Sequence, residues 1–306
     1  MRRLYRAVVP RPVRWFVRTS QHRLGDLGKW FVRTSRRRLG DLSRAFRRPW
    51  QVLQGHLELL LGRRDPLVPP RYLWYVGDGD FAAVGEEYLR HFVALGGLQP
   101  DDAVLDVGCG IGRMARPLTR YLSDHGSYEG FDIVPVAIKW CTANITRRRP
   151  DFRFRLADLR NAMYRPRGRF KASEYRFPYP ENSFDFVFLV SVLTHMLPDD
   201  MENYLREVAR VLRPGKRCFV TFFLLNGESR RLMSQGASSQ EFRDTGKGVY
   251  VVDESRPEFV LAHEEATVRQ SFARYGLRIL EPIHYGNWCQ RAEYLSYQDI
   301  IVAEKA

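Results

Sequence analysis

The chain has 306 residues, of which 44% are hydrophobic and 13% aromatic, enough for one large folded domain with an appendage. No apolar run approaches the roughly 20 residues that span a bilayer, no signal-peptide core follows the first arginines, and the four cysteines lack CxxC or Cys/His metal spacing. These features argue against an integral membrane protein, a secreted disulfide scaffold and a structural zinc site. We expect a protein of the cytoplasm, soluble or at most peripheral at the inner membrane face.

The formal net charge of +14 belongs almost entirely to the first 50 residues, which hold 15 Lys or Arg and two Asp, a net charge of +13. Residues 51–306 carry 34 basic and 33 acidic residues, a net charge of +1. The near neutrality of residues 51–306 argues against a long phosphate-binding track on the surface of this part of the chain.

Residues 1–50 also contain a tandem repeat with a period of 15. Residues 15–20 (Trp-Phe-Val-Arg-Thr-Ser) recur at 30–35, and residues 23–27 (Arg-Leu-Gly-Asp-Leu) recur at 38–42. On a helical wheel the apolar residues fall on one half and the arginines largely on the other. This pattern favours a basic amphipathic extension that contacts an anionic membrane, while a solvated tail or a nucleic-acid contact stays open.

Residues 51–69 predict a short helix and a Pro-rich linker, which places the start of the globular domain at residue 70. An aromatic-rich loop follows at 71–81, ahead of a helix at about 81–95. Its aromatic side chains either touch a ligand or pack on the core.

The stretch 103–112 (Ala-Val-Leu-Asp-Val-Gly-Cys-Gly-Ile-Gly) predicts a strand, a tight turn and the start of a helix. Glycine lets the backbone turn sharply and a ligand approach closely, and the helix that follows offers free N–H groups. The spacing argues against a dinucleotide fingerprint, because the position of its third glycine is occupied by Arg113, and it does not fit a P-loop, because no Gly-Lys-Ser/Thr follows.

This stretch resembles the first motif of the class I S-adenosyl-L-methionine (SAM)-dependent methyltransferases, an acidic residue followed by Gly-x-Gly-x-Gly. The resemblance implies that SAM is the cofactor and that Asp106, Gly108, Gly110 and Gly112 belong to its binding site. It also implies that the aromatic loop before the first strand lies close to the cofactor. The alternative is a purely structural turn, since any strand-to-helix connection favours glycine.

Strands and helices alternate from Asp101 onward, which predicts right-handed crossovers and a mostly parallel, doubly wound α/β sheet. Seven strands with a final hairpin resemble the methyltransferase sheet, and ligands of such sheets bind beyond the carboxyl ends of the strands. The predicted strands are 103–107, 127–131, 152–156, 184–190, 217–224, 277–284 and 297–303, with helices at about 112–123, 134–148, 199–212 and 263–275.

Carboxylates follow the second and third predicted strands. Asp132 lies 20 residues after Gly112, where it can accept hydrogen bonds from ribose hydroxyls. By resemblance, Ile133 packs on adenine and Asp158 receives the adenine amino group, with Leu159 beside it in the same site. For each Asp the alternative is an N-cap or turn carboxylate.

The fourth predicted strand is nearly all apolar, as expected for a central strand covered on both faces, and Val190 at its end joins the predicted cofactor site. His195 follows where an acceptor approaches the methyl group, and an ordinary pKa near 6.5 lets it accept a proton at neutral pH. A structural histidine that holds the loop is the alternative. Residues 212–216 (Leu-Arg-Pro-Gly-Lys) resemble the turn before the fifth strand of the family, with Lys216 in place of a second glycine.

Together these motifs predict a SAM-dependent methyltransferase domain at 70–306 that acts on a hydroxyl of a small molecule, sugar or lipid. Methylation of a protein or nucleic acid, or a non-catalytic SAM-fold binding module, stays open. The acceptor wall is expected in residues 160–182 and 226–262, and no metal is expected.

Overall fold

The computed structural model describes residues 65–75, 79–236, 238–246 and 249–306, all within one compact unit, Glu58–Ala306. The predicted basic extension 1–50 and the helix predicted within 51–64 lie outside the described residues, so the predicted domain division stays a prediction. In the part of the chain that is described, no helix is long and apolar enough to cross a bilayer.

Eleven strands and six α-helices are described in these residues. The strands are β1 (Ala103–Val107), β2 (Ser127–Asp132), β3 (Phe152–Leu156), β4 (Phe184–Leu189), β5 (Leu212–Phe222), β6 (Leu224–Leu225), β7 (Arg243–Asp244), β8 (Tyr250–Val251), β9 (Leu261–Glu264), β10 (Leu277–Ile279) and β11 (Asp299–Lys305). The helices are α1 (Phe81–Ala94), α2 (Ala115–Tyr121), α3 (Pro135–Cys141), α4 (Pro198–Val211), α5 (Gly227–Ser234) and α6 (Glu265–Arg274).

Seven strands form the main sheet, in the order β10-β11-β5-β4-β1-β2-β3. β1 lies between β2 and β4 and is parallel to both, and β11 is antiparallel to its neighbours β5 and β10. The prediction of a seven-stranded, mostly parallel α/β sheet that ends in an antiparallel pair is confirmed. The strand order reverses at β1, which makes the β1/β4 boundary the expected ligand-binding edge.

The central strands are apolar because helices cover both faces of the sheet. On β4, Phe186 and Phe188 pack on one face with Phe92 of α1, and the rings of Phe92 and Phe188 lie 4.5 Å apart between centroids. The alternate residues Val187 and Leu189 join the apolar cluster on the other face. This two-sided burial explains why the strand shows no polar alternation.

A second, four-stranded sheet in the order β6-β9-β8-β7 was not predicted from the sequence. It lies within the segment following β5 and has a small core of its own around Phe223, Phe242 and Trp288. Asn226 starts α5 through a reciprocal capping box with Ser229, over 2.9 Å in each direction. The two-residue strands are too short to show a periodicity in the sequence.

Some boundaries differ from the predicted ones. β5 begins at Leu212, so the Arg-Pro-Gly-Lys segment belongs to the strand, and β10 ends at Ile279, shortly before Pro282, which has no N–H to donate to a ladder. The helix predicted at 134–148 is α3 followed by a π-helical turn, Thr142–Thr146.

Candidate functional site

A cavity of about 1180 Å³ lies at the carboxyl ends of β1, β2 and β4. It brings together eight of the ten residues predicted from the sequence: Asp106, Gly108, Gly110, Asp132, Ile133, Leu159, Val190 and His195. Gly112 and Asp158 are absent from its lining. The cavity is therefore located where a parallel sheet with this strand order places its ligands.

The three glycines of the turn after β1 have different tasks. All have positive φ: +81° at Gly108, +52° at Gly110 and +81° at Gly112. A Cβ at Gly108 would lie 2.4 Å from Cγ2 of Val192, and one at Gly112 would lie 2.6 Å from Cδ1 of Ile145. Gly108 and Gly112 thus allow close packing, whereas Gly110 meets nothing nearer than 3.7 Å and leaves the cavity floor bare.

Asp132 fastens this turn to the end of β2. Its Oδ2 accepts the backbone N–H of Gly110 and its Oδ1 that of Val134, each over 2.8 Å. Burial raises the pKa of Asp132, and these two N–H donors oppose that shift. Each carboxylate oxygen has a second lone pair, so the side chain can still accept hydrogen bonds from a ligand in the cavity.

Asp106 is 2% exposed and accepts a hydrogen bond from the Tyr128 hydroxyl over 2.6 Å. Burial raises the pKa of Asp106 to about 8, and the nearby Asp132 contributes to the rise. A cationic group in the cavity would favour the ionised carboxylate. The site can therefore respond to a positively charged ligand by ionising Asp106.

Tyr75 presents a buried hydroxyl to the cavity. This oxygen has no hydrogen-bond partner among the described residues, and it lies 3.7 Å from the position that a Gly110 Cβ would take. Burial raises the pKa of Tyr75 well above its usual range, so the group is a hydroxyl donor at neutral pH. A buried donor without a partner is costly, which indicates a ligand with an acceptor here.

These groups fit the cofactor that the motifs predict. The bare glycine turn leaves room for a ligand against the backbone, Asp132 can accept from hydroxyls, Asp106 can face a cation, and Tyr75 can donate to a carboxylate. The sequence marked the loop that contains Tyr75, but nothing in the sequence alone distinguishes this tyrosine from its aromatic neighbours.

Asp158 faces the loop that follows β3. Its Oδ1 accepts a hydrogen bond from Nη2 of Arg165 over 2.7 Å, and its side chain is 44% exposed. Arg165 also donates from Nη1 to the carbonyl oxygen of Ile133 over 3.4 Å. Asp158 thus helps to hold this loop against the site, and Leu159 beside it lines the cavity.

His195 lines the cavity, and one of its two ring nitrogens already makes a hydrogen bond within the protein. Nδ1 lies 3.1 Å from the carbonyl oxygen of Glu258, and since a carbonyl only accepts, Nδ1 carries the proton. Burial lowers the pKa of His195, so the ring is neutral at neutral pH and its Nε2 is the basic nitrogen. This geometry suits both a loop-holding histidine and a general base.

Ser191, which the sequence did not indicate, follows β4 with a positive φ of +59°. Its N–H donates to Oγ1 of Thr221 over 2.8 Å, Thr221 donates to Oε1 of Gln298 over 2.7 Å, and Nε2 of Gln298 donates back to Oγ of Ser191 over 3.0 Å. This closed ring fixes Ser191 and leaves its own hydroxyl proton for a ligand.

Comparisons with known proteins agree with this architecture. Residues 105–220 match the family described as the methyltransferase domain. Over 134 residues the chain is 35% identical to cycloartenol-C-24-methyltransferase of Arabidopsis thaliana, covering 44% of this chain and 34% of that protein. Over 179 residues it is 31% identical to 27-O-demethylrifamycin SV methyltransferase of Amycolatopsis mediterranei, covering 57% of this chain and 58% of that protein.

The chain therefore spans about a third of one of these relatives and under two thirds of the other. Among solved structures, it is similar to the PH0226 protein from Pyrococcus horikoshii OT3, with a TM-score of 0.53 and 17% identity over 75% of this chain and 93% of that one. At this identity the likeness concerns the fold.

Proposed function

We propose that the chain carries a class I SAM-dependent methyltransferase domain, with SAM as its cofactor, and that it transfers a methyl group to a hydroxyl of a small molecule, sugar or lipid. The observation that carries the proposal is the convergence of Asp106, Gly110, Asp132 and Tyr75 on one cavity at the switch point of the sheet. Of these residues, Tyr75 has a buried hydroxyl without a hydrogen-bond partner among the described residues, and a ligand can supply that partner.

Each of these residues has a task in holding the cofactor. Asp132 accepts hydrogen bonds from the ribose hydroxyls, Asp106 compensates a cationic group, and Tyr75 donates to a carboxylate. Ile133, Leu159 and Val190 supply apolar surface for the adenine and the methyl-bearing end. Because Gly112 has no Cβ, helices α2 and α3 can pack closely against the turn on the side away from the cavity.

The chemical step needs little from the protein. When bound, the cofactor supplies an electrophilic methyl group on its sulfonium. This chain's residues align an acceptor with that group and exclude water, and Nε2 of His195 takes the proton that the acceptor hydroxyl loses. Ser191 lies beside this path and can donate to a second oxygen of the acceptor.

The size of the cavity and the low net charge of residues 51–306 support a compact acceptor. A typical ligand site has a volume of roughly 300–1,000 Å³, and the 1180 Å³ here leaves room for an acceptor beside the cofactor. The two relatives are named for the small molecules cycloartenol and 27-O-demethylrifamycin SV. The net charge of +1 over residues 51–306 offers little attraction for a long nucleic acid.

Incubation of the protein with methyl-labelled SAM and with lipid, small-molecule, protein and nucleic-acid fractions of a lysate tests this function. We expect label in the lipid or small-molecule fraction, and much less of it with Asp132→Ala at a SAM concentration that does not saturate the variant. Label confined to protein or nucleic acid would overturn the acceptor class. Cofactor binding without any transfer would favour the binding-module alternative.

We also propose that the enzyme is cytoplasmic and that residues 1–50 hold it on the anionic inner face of a membrane. The support is the net charge of +13 together with Trp15, Phe16, Trp30 and Phe31, which occupy the same positions in the two repeats. Arginines beside interfacial aromatic residues suit lipid headgroups. Nucleic acid would attract the same charge and is the competing partner.

A further inference from the structure

The opening of the cavity has an unusual composition. Only five of its described lining residues are exposed, and these form its rim: Arg90, Arg160, Tyr294, Leu295 and Tyr297. The acidic lining residues are all buried or half-buried inside it: Glu87, Asp106, Asp132, Asp200 and Glu258. The rim therefore combines positive charge with apolar surface, with the exposed Glu293 next to Tyr294 in the chain, and the acidic lining residues lie within, together with Arg113.

The loop at 159–173 extends this rim. It holds five basic residues and no acidic one. Arg165 is paired with Asp158 and Lys171 with Glu174, which leaves a net charge of +3 over residues 158–174. Arg160 and Tyr164 of this loop line the cavity, so the loop borders the opening and carries its excess positive charge there.

More than half of the exposed large apolar side chains belong to the two segments that border the opening. Nine large hydrophobic side chains are exposed among the described residues, and five of them belong to the loop 159–173 or to the segment 294–297: Met163, Phe170, Tyr294, Leu295 and Tyr297. Their exposed fractions range from 42% to 57%. Isolated exposed apolar residues are ordinary, but several in two segments that border one opening indicate a surface that is covered in use.

We call the rim residues and the loop 159–173 together the mouth of the cavity. We propose that this mouth rests on an anionic lipid surface and that the acceptor enters the cavity from the lipid side. The acceptor is then an amphiphile with a hydroxyl group. Arginines meet the headgroups while tyrosine, leucine, methionine and phenylalanine enter the interface. A nucleic acid would use the arginines but gain little from the aliphatic side chains. This inference deepens the proposed function and rests on it.

The contact is tested by hydrogen–deuterium exchange of the full chain, alone, with phosphatidylcholine vesicles, and with vesicles that also contain phosphatidylglycerol. We expect slowed exchange at 159–173 and 290–298 only with the anionic vesicles. Slowed exchange confined to residues 1–50 would overturn the proposal. So would protection of 159–173 by duplex DNA and none by vesicles.

Two matched double variants test whether vesicle binding depends on the apolar side chains of the mouth or on exposed apolar side chains in general. Met163→Ser with Phe170→Ser removes two apolar groups that are each 45% exposed and lie outside the cavity lining, and Val93→Ser with Val136→Ser removes two that are 38% and 48% exposed and lie outside the lining, the loop 159–173 and the segment 294–297. At a salt concentration that screens the extension, the mouth pair should lower vesicle affinity about tenfold, because apolar burial is lost. The control pair should leave it unchanged.

A second comparison tests the charge of the mouth. Arg167→Gln with Arg169→Gln should weaken binding to anionic vesicles at low salt, whereas the exposed pair Arg147→Gln with Arg148→Gln should not. Equal losses in the mouth and control variants would contradict the proposal. Calorimetry with S-adenosylhomocysteine on the same proteins tests the proposed function separately from the membrane contact. If the wild type did not bind this compound, the proposed function would be refuted, whereas the membrane contact would not.

Discussion

The backbone N–H of Gly110 donates to Oδ2 of Asp132 over 2.8 Å, so the turn after β1 and the carboxylate after β2 form one unit. The sequence presents these as two motifs 22 residues apart. Because of this hydrogen bond, a change in either residue alters both the floor of the cavity and the carboxylate that we propose binds the ribose.

Substitution of Gly110 and of Gly112 should have different effects on stability, because Gly110 faces the ligand cavity and Gly112 is packed against neighbouring side chains. Gly110→Ala introduces a residue at positive φ, at a cost of about 1–2 kcal/mol, into open space. Gly112→Ala adds a Cβ 2.6 Å from Ile145 and 3.1 Å from Sγ of Cys141, and overpacking of this kind costs a further ~1–3 kcal/mol. Urea unfolding should show the larger loss for Gly112→Ala. Equal losses would contradict the packing role.

Asp106 should make stability depend on pH. Its ordinary pKa is about 3.9, and burial raises it to about 8, so between these values the folded protein holds a proton that the unfolded chain releases. The stability from this group is complete below about pH 4 and is lost as the pH rises through about 8. Asp106→Asn lacks this titration, so the wild type should lose stability relative to it on going from about pH 5 to about pH 9. A constant difference between the two unfolding midpoints would contradict the raised pKa.

His195 should act as the base and not only hold its loop. In His195→Gln the side-chain amide can still donate to the Glu258 carbonyl but cannot accept a proton, so we expect normal SAM affinity and turnover lower by about 10²–10⁴-fold. Because burial lowers the pKa of His195, wild-type turnover should decline only at a pH below the ordinary histidine value of about 6.5. Nearly full turnover in the Gln variant on the identified acceptor would assign His195 to the loop alone.

The basic extension should account for salt-sensitive adsorption. Each basic residue near an anionic surface contributes about 1 kcal/mol, so a chain that begins at Pro66 should lose most of its affinity for anionic vesicles at low salt. Co-sedimentation across a salt series, with neutral vesicles and a competing duplex, measures this. Identical behaviour of the two chains would reject the anchor, and preferential capture by the duplex would assign the extension to nucleic acid.

Sequence reasoning reached the fold because its signals are local: an apolar run that ends at Asp106, glycines at alternate positions, and strands that alternate with helices. It missed the small sheet because strands such as Tyr250–Val251 are too short to show a period. It also missed the hydrogen-bonded ring of Ser191, Thr221 and Gln298, because its members are up to 107 residues apart in the chain.

The predicted contact of Asp158 with adenine shows a second limit of such reasoning. The position after β3 is as expected, but the direction of the carboxylate depends on Arg165, seven residues later in a loop. The adenine contact stays a prediction, which SAM affinity in Asp158→Ala would test.

Calorimetric titration of SAM into the full chain tests the central claim most directly. We expect one equivalent to bind, with affinity weakened by about 1–3 kcal/mol in Asp132→Ala, because hydroxyl partners and two backbone N–H groups lose their acceptor. The exposed Asp124→Ala is the control and should bind SAM like the wild type. No binding to the wild type, or the same affinity in the Asp132→Ala protein, would contradict a SAM site at the ends of β1 and β2.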